Sequence, residues 1–377
     1  MKKTLLITSN FFPEEGGIGA YMGIYFYFDH RSLVVLAPSS GNFKKFDRVS
    51  KLKTVRSWWL GNTSKLARIF KPITVTAEVL ALLKKNKFQA VHIADIESIP
   101  ILLWIIFKML GISVLIFVHG RELSVSGKIK INLALKTASI IIANSQYTRN
   151  LLVKEFRVPI DKIEVVNPGI NLDFVKTKVD PSDAIKKYNP RGQFVILTVS
   201  RLVKRKGHFT VLKALSQLKR SGFKDFVYLI VGRGYEESRI KEEVKKLELE
   251  KETVFVGYAS NEELLDLYSA CDVFVMVPDN IAGDYEGFGI VYIEAGAFQK
   301  PVIGTWSGGV ADAVEDGRTG FLINPGDHAA LSRFLLRLAR DKEVGAKLGK
   351  NGYKKAKQFT LDKVAGRFLS ILEKNAL

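Results

Sequence analysis

Short apolar runs alternate with amphipathic stretches along almost the whole chain, and this pattern restricts the fold more than any single residue does. In the first half the runs are Leu5–Ser9, Leu33–Ala37, Ala90–Ile93, Val114–Val118, Ile140–Ala143 and Ile163–Val166. In the second half they are Phe194–Val199, Phe226–Val231, Thr253–Val256, Val273–Met276, Val302–Ile303 and Phe321–Ile323. Runs that are apolar throughout, rather than at every second residue, indicate strands buried on both faces. Such strands belong to parallel sheets covered by helices. Helical patterns fill the intervals, as in Leu66–Lys85, His208–Arg220 and Tyr235–Leu247. The expected class is therefore α/β with doubly wound sheets.

The 377 residues suffice for two such domains. The pattern breaks across 171–193, where Pro181, Ser182, Asp183, Asn189, Pro190 and Gly192 gather. This predicts a first domain over 1–180 and a second over 181–360. A last amphipathic helix, 361–377, is expected to return to the first domain. In doubly wound sheets, ligands bind beyond the carboxyl ends of the strands. If the two domains face each other, those ends line one shared cleft, so the chemistry is expected in loops that follow strands.

Ile99–Val118 has the length of a membrane span, but Pro100, Lys108, Gly111 and Ser113 interrupt it. A buried helix to Leu110, a stop at Gly111 and a buried strand fit it better. The basic, then apolar start, Met1 to Asn10, reads as a first strand and not as a leader. Cys271 is the single cysteine, which leaves no intrachain disulfide and fits a reducing, cytoplasmic compartment. His30, His92, His119, His208 and His328 show no ligand spacing, and no Asp-x-Asp occurs. No metal site and no cofactor are expected.

The net charge is +19, unevenly divided. Residues 1–180 hold 26 Lys or Arg against 13 Asp or Glu, and residues 181–377 hold 31 against 25. A basic first half calls for an anionic partner: phosphate, an acidic membrane surface or nucleic acid. No recognition-helix, RNP or zinc-finger pattern accompanies the charge, which argues against nucleic acid.

Five loops carry candidate chemistry. Gly16 and Gly17 follow the first strand and open a helix, where backbone N–H groups can approach a phosphate; glycines at such a turn also serve geometry alone. Ser200–Gly207 places Arg201, Lys204, Arg205 and Lys206 after a strand, with Arg201 and Lys206 suited to a diphosphate; the plain alternative is a solvated basic turn. Glu286-Gly287-Phe288-Gly289 leads to Glu294, so the two carboxylates line one edge of a helix, where they can accept from sugar or ribose hydroxyls. A glycosidase pair or a merely capped helix are the alternatives. His119 stands at the end of a strand, placed either to meet a substrate or to serve the fold. Gly257 and Tyr258 end another strand, where a nucleotide base could lie.

A basic and aromatic segment is also present. Lys44, Lys45, Arg48, Lys51, Lys53 and Arg56 lead into Trp58 and Trp59, a composition suited to an anionic membrane interface, to nucleic acid, or to a solvated segment with buried tryptophans.

Together these segments resemble the family 4 glycosyltransferases of GT-B fold. The resemblance rests on Phe12-Pro13-Glu14-Glu15-Gly16-Gly17-Ile18, Asn144–Thr148, Ser200–Gly207, Leu229–Gly234, Glu286–Ala295, Val302–Gly309 and Thr319-Gly320-Phe321, which occur in this order. Within the family the chain is most similar to the phosphatidylinositol mannosyltransferases. The resemblance implies two Rossmann-like domains facing a shared cleft. It implies a retaining, metal-independent transfer in which the leaving phosphate helps deprotonate the acceptor. Gly16, Gly17, Arg201 and Lys206 would then hold the donor diphosphate. Glu294 would hold the ribose, and Gly257 and Tyr258 would border the base. Glu286, with the Phe288 and Gly289 backbone, would hold the sugar, and His119 would lie near the anomeric centre or the sugar 6-hydroxyl. The resemblance is thin between Ser39 and Ile99, and the loop Pro278–Tyr285 departs from the mannosyltransferase pattern.

The expectation is a membrane-peripheral hexosyltransferase at the inner face of the cell membrane. It would take mannose from GDP-mannose to a lipid-linked or glycan acceptor. A UDP-sugar donor, or epimerase or hydrolase chemistry on the same fold, is the alternative; a nucleic-acid module or a non-catalytic membrane scaffold lies further off.

Overall fold

The computed structural model describes residues 2–13, 17–62, 64–171, 182–189 and 191–375. Two compact units divide the chain: Met1–Gly169 with Leu361–Leu377, and Ile170–Thr360. The first unit thus closes at Gly169 and not at 180. The amide of Ile170 already donates to the carbonyl of Phe359, 2.8 Å away in the second unit.

The first unit is built on seven parallel strands: β1 (Thr4–Ile7), β2 (Leu33–Pro38), β3 (Lys53–Ser57), β4 (Ala90–Ile93), β5 (Ser113–Val118), β6 (Ile140–Ala143) and β7 (Ile163–Val165). Their order is β3-β2-β1-β4-β5-β6-β7. Leu5 of β1 pairs with Val34 on one side and with Val91 on the other. β3 was not foreseen from apolarity, because it is an edge strand paired only with β2. A charged residue at an edge, here exposed Lys53, is what blunts pairing with another chain.

The helices of this unit are α1 (Gly17–Met22), α2 (Phe43–Val49), α3 (Lys65–Lys85), α4 (Ile101–Met109), α5 (Arg121–Val125), α6 (Lys128–Thr137) and α7 (Gln146–Phe156). One core layer joins the sheet to Val75 and Val79 of α3, Trp104 and Phe107 of α4 and Ile131 of α6. The other joins Leu6, Val35 and Phe117 to Tyr21, Tyr25 and the final helix. The segment 99–118 resolves into α4 and β5, separated by Gly111 at φ +63°. Among the described residues, no helix is long and apolar enough to cross a membrane.

The second unit has six parallel strands: β8 (Phe194–Val199), β9 (Phe226–Val231), β10 (Thr253–Gly257), β11 (Val273–Val275), β12 (Val302–Thr305) and β13 (Gly320–Ile323), in the order β10-β9-β8-β11-β12-β13. Its helices are α8 (Ser182–Tyr188), α9 (His208–Arg220), α10 (Glu237–Lys246), α11 (Asn261–Ala270), α12 (Ile290–Ala297), α13 (Val310–Ala313), α14 (His328–Arg340) and α15 (Lys342–Ala356). The last helix, α16 (Leu361–Lys374), belongs to the first unit, where the Phe368 ring lies 5.7 Å from that of Tyr25 and 5.5 Å from that of Phe117. Cys271 is buried, and burial pushes its thiol up to about 12, the behaviour of an inert core thiol.

In each sheet the strand order reverses around the first strand. β1 lies between β2 and β4, and β8 lies between β9 and β11. The loops at the carboxyl ends of β1, β4, β8 and β11 therefore border the crevices where open parallel sheets bind ligands.

Candidate functional site

In the second unit, two loops that are distant in sequence are locked together. β8 runs into Ser200 and Arg201, then into a tight turn over Lys204–Lys206, and Gly207 starts α9. Gly207 has φ +76°, and a Cβ there would lie 1.9 Å from the Val277 carbonyl. Only glycine fits both requirements, so the basic turn is pressed against the end of β11. The amide of Asp279, in the loop after β11, donates to the Arg205 carbonyl at 2.8 Å.

That backbone arrangement brings opposite charges together. Glu286 accepts at Oε2 from Arg205 Nη1 at 2.8 Å and from the Lys206 ammonium. Arg205 Nε lies 3.0 Å from Asp284 Oδ1. That contact is a charge pair, because the N–H is not aimed for a hydrogen bond. Arg205, Lys206 and Glu286 are all nearly buried. Burial alone would raise the Glu286 carboxyl; Lys206 and Arg205 overcome it and hold the group down at about 2. Burial, with repulsion from Arg205 and Arg201, leaves Lys206 below an ordinary lysine despite Glu286. Two cations thus meet two acids, and the cluster is nearly balanced. Arg201 is exposed beside it, and no acid among the described residues pairs with it.

Gly289, at φ +85°, starts α12, where a Cβ would meet the Tyr292 ring at 2.5 Å. Glu294 lies in the second turn of α12 and accepts from the Tyr268 hydroxyl at 2.7 Å. The Phe288 side chain is buried against Phe359, so this residue offers only its backbone. Gly257 closes β10, and its carbonyl accepts from the Gly232 amide at 2.7 Å; the Tyr258 side chain next to it is exposed.

In the first unit, Asp95 holds together the ends of β1 and β4. It accepts from the Ser9 amide and hydroxyl, both at 2.9 Å, and from the Ser98 amide at 2.9 Å. Beyond β5, His119 places Nε2 2.8 Å from the Ala94 carbonyl. Its Nε2–H is the donor, since a carbonyl can only accept. The His119 amide donates to Glu122, whose carboxyl is raised by burial against the pull of His119. Asn144 Nδ2 donates to the His119 carbonyl at 3.0 Å, tying in the loop after β6.

The sequence matches the family model for glycosyltransferase family 4 over residues 29–174 and that for glycosyl transferases group 1 over residues 181–355. The chain thus carries a glycosyltransferase family 4 domain followed by a glycosyl transferases group 1 domain. The enzyme is 27% identical over 358 residues to a GDP-mannose-dependent alpha-(1-6)-phosphatidylinositol monomannoside mannosyltransferase of Mycolicibacterium smegmatis, covering 92% of each chain. It is 30% identical over 240 residues to a D-inositol 3-phosphate glycosyltransferase of Streptomyces avermitilis, covering 60% of this chain and 50% of that one. Among solved structures it is similar to HepE of Anabaena in complex with UDP, with a TM-score of 0.82, 20% identity and coverage of 99% and 100%. It is also similar to a glycosyltransferase of Rickettsia africae, with a TM-score of 0.78, 22% identity and coverage of 100% and 99%. At these identities the structures establish a shared GT-B architecture and nothing finer.

The structure brings Lys206 and Glu286 together directly and places Arg201 beside them. It leaves Glu294, Tyr258 and Gly257 at neighbouring strand and helix ends of the same unit. Gly17 starts α1, whereas Gly16 lies outside the described residues.

Arg56 departs from its expected place on a lipid-facing surface. Its side chain is 8% exposed and donates to Asp47, Pro38 and Phe12, with the guanidinium 5.4 Å from the Phe43 ring centre. A guanidinium so engaged staples α2 to the sheet and is turned away from a lipid phosphate. Trp59 likewise is half-buried against the core, whereas Trp58, Lys44, Lys45, Arg48, Lys51 and Lys53 are exposed.

Sequence reasoning passed over Arg205, Asp284 and Tyr268 as site residues. Arg205 stood within the basic run, but nothing in the sequence showed which of four neighbouring cations would turn inward. Among the described residues, no group of His, Cys, Asp and Glu is arranged to hold a metal ion.

Proposed function

We propose that the enzyme is a retaining, metal-independent hexosyltransferase that moves mannose from GDP-mannose to a lipid-linked or glycan acceptor at the cytoplasmic face of the membrane. The observation that carries this reading is the Arg205–Lys206–Glu286–Asp284 cluster with exposed Arg201 beside it, at the switch point around β8. When the bond from anomeric carbon to phosphate breaks, negative charge collects on the departing diphosphate. Arg201 is the uncompensated cation that meets it, and Lys206 can share its charge between Glu286 and the diphosphate. Fixed cations lower the barrier because they need no reorganisation as charge develops. The acceptor hydroxyl attacks the anomeric carbon, and its proton passes to the departing phosphate.

The Lys206–Glu286 contact gives Glu286 two roles: it orients the ammonium, and its free Oε1 edge can accept from a sugar hydroxyl. Glu294, steadied by Tyr268, suits the ribose hydroxyls in the same way. Cationic stabilisation of the diphosphate supports a reaction that needs no divalent ion. The choice of GDP-mannose rests on the relatives that span nearly the whole chain and carry that donor in their names. HepE, solved with UDP and with UDP-glucose, shares the fold and makes a UDP-sugar the second reading.

The test is product formation from GDP-mannose, UDP-glucose and UDP-N-acetylglucosamine with membrane lipid extract and EDTA, followed by NMR of the new glycosidic linkage. The reading expects an α-linked mannosyl product from GDP-mannose alone. Transfer only from a UDP-sugar would overturn the donor, an inverted linkage the retaining mechanism, and loss of transfer in EDTA the metal-free step.

A further inference from the structure

The first unit carries an apolar surface that its core does not use. On α3, Leu66, Ile69, Phe70 and Ile73 point outward, with Ile73 70% exposed, while Val75 and Val79 point into the core. On α4, Ile101, Leu102, Ile105 and Met109 point outward, with Met109 80% exposed, while Leu103, Trp104 and Phe107 are buried. Ile129 of α6 is 79% exposed. Helix α4 packs against both α3 and α6, so the three outer faces adjoin. Isolated apolar residues on a surface need no explanation, but a contiguous group of this kind marks an interaction site.

Charge decides what the site fits. The three helices hold nine Lys or Arg and one acid, Glu78. Burial lowers the ammonium groups of Lys71 and Lys130, against the pull of Asp95 and Glu97. A second copy of the chain would bring like charge against like charge, so self-association through this face is disfavoured. Trp58, 56% exposed, adds an interfacial aromatic, and its ring neighbour Trp59 reaches Phe70 of α3. Apolar side chains ringed by lysines with a tryptophan at the margin match the headgroup region of an anionic bilayer, where lysine stems lie along apolar surface and ammonium groups meet phosphates.

We propose that the outer face of α3, α4 and α6 is the surface by which this enzyme docks on an anionic membrane, with Ile69, Ile73, Ile105 and Met109 entering the headgroup boundary. The inference rests on the reading above only in taking the acceptor to be lipid-borne. It places the contact on these helices and not on α2, where the basic segment pointed.

The full chain is sedimented with phosphatidylglycerol–phosphatidylcholine vesicles in the absence of donor and acceptor, so that the result does not depend on transfer. Wild type is expected to bind these vesicles and to bind pure phosphatidylcholine weakly. Ile69→Glu/Ile73→Glu and, separately, Ile105→Glu/Met109→Glu are expected to lose binding about tenfold or more, with unchanged circular dichroism. Lys44→Glu/Lys45→Glu on α2 is expected to lose less than about threefold. Should a glutamate variant unfold, quenching of wild-type tryptophan fluorescence by brominated lipid, abolished in Trp58→Phe, reads the same docking. Equal binding by wild type and both apolar variants would overturn the proposal, as would loss confined to the α2 variant. A lipid-free dimer that the Ile69→Glu/Ile73→Glu variant dissociates, without vesicle binding, would also overturn it and assign the face to a second copy. Vesicle binding without mannosyl transfer would leave the docking surface standing and count only against the donor reading.

Discussion

The two units solve the same structural problem in opposite ways at their strand ends. In the second unit the loops after β8 and β11 are closed by charge: Arg205 and Lys206 are withdrawn from water and balanced by Glu286 and Asp284. In the first unit the corresponding loops are closed by hydrogen bonds to uncharged partners. Asp95 accepts from Ser9 and Ser98, and His119 donates to the Ala94 carbonyl. The unit's excess positive charge lies outside, around exposed apolar helices. The difference teaches where each kind of partner is expected. A buried, pre-oriented ion cluster suits a compact, highly charged ligand that must be held in one geometry. A broad cationic and apolar face suits a soft surface that needs no fixed register.

The largest expected effect breaks the charge balance of the second unit. Glu286→Ala leaves two nearly buried cations without their shared partner. It should cost about 3–5 kcal/mol of stability, read as a lowered denaturant midpoint. Hydrogen exchange should show the loosening in β8, β11 and α12, with the first unit unchanged. Loosening of both units alike would contradict the division drawn here.

Next comes a change that spares the fold. Arg201→Ala removes an exposed cation, so melting should be unaltered. Turnover at saturating acceptor should fall roughly a hundredfold to a thousandfold, the loss of about 2.7–4 kcal/mol of transition-state stabilisation. Unchanged turnover would remove Arg201 from the site.

The matching test in the first unit is Arg56→Ala. Here stability should fall by roughly 1.5–3 kcal/mol, because Asp47 and two carbonyls lose a charged donor, while vesicle binding changes little. A large loss of vesicle binding with an intact fold would return Arg56 to the lipid surface.

The smallest effect concerns pH. Burial lowers His92 of the first unit to about 3 and His208 of the second to about 4. Both are neutral in the fold, whereas the unfolded chain takes up protons below its ordinary histidine value of about 6.5. Stability is therefore fully present above that value and is lost as pH falls, down to about 4 for His208 and about 3 for His92. At about pH 6 each contributes a loss of about 0.8 kcal/mol. The second unit loses more below about 4.5, as Glu286 is protonated in the unfolded chain but not in the fold until about 2. Denaturant titrations at stepped pH check both the sign and the order.

Much of the fold was legible because continuous apolar runs have one economical use, as buried parallel strands. β3 escaped, since an edge strand needs no apolar run and Lys53-Thr54-Val55-Arg56-Ser57 offers almost none. The site in the second unit was legible where chemistry is local: Lys206, Glu286 and Glu294 stand in short motifs that determine their own positions on strand and helix ends. The inward turn of Arg205 was not, because it depends on Gly207 meeting the Val277 carbonyl, about seventy residues away in sequence. Arg56 and Trp59 misled for the same reason. A cation beside aromatics has the same composition whether it faces lipid or, as here, turns inward to Asp47, Pro38 and Phe12. The outward face of α4 was hidden by its own apolarity, which reads as core on every side.

The central claim is that the second unit's charged strand ends bind the diphosphate of a guanine nucleotide sugar. Calorimetric titration of GDP and UDP, in EDTA, into wild type, Arg201→Ala and Lys206→Ala tests it most directly. The account predicts GDP binding in wild type that is markedly weaker in both variants, with UDP weaker than GDP throughout. Equal GDP binding by all three proteins would contradict it.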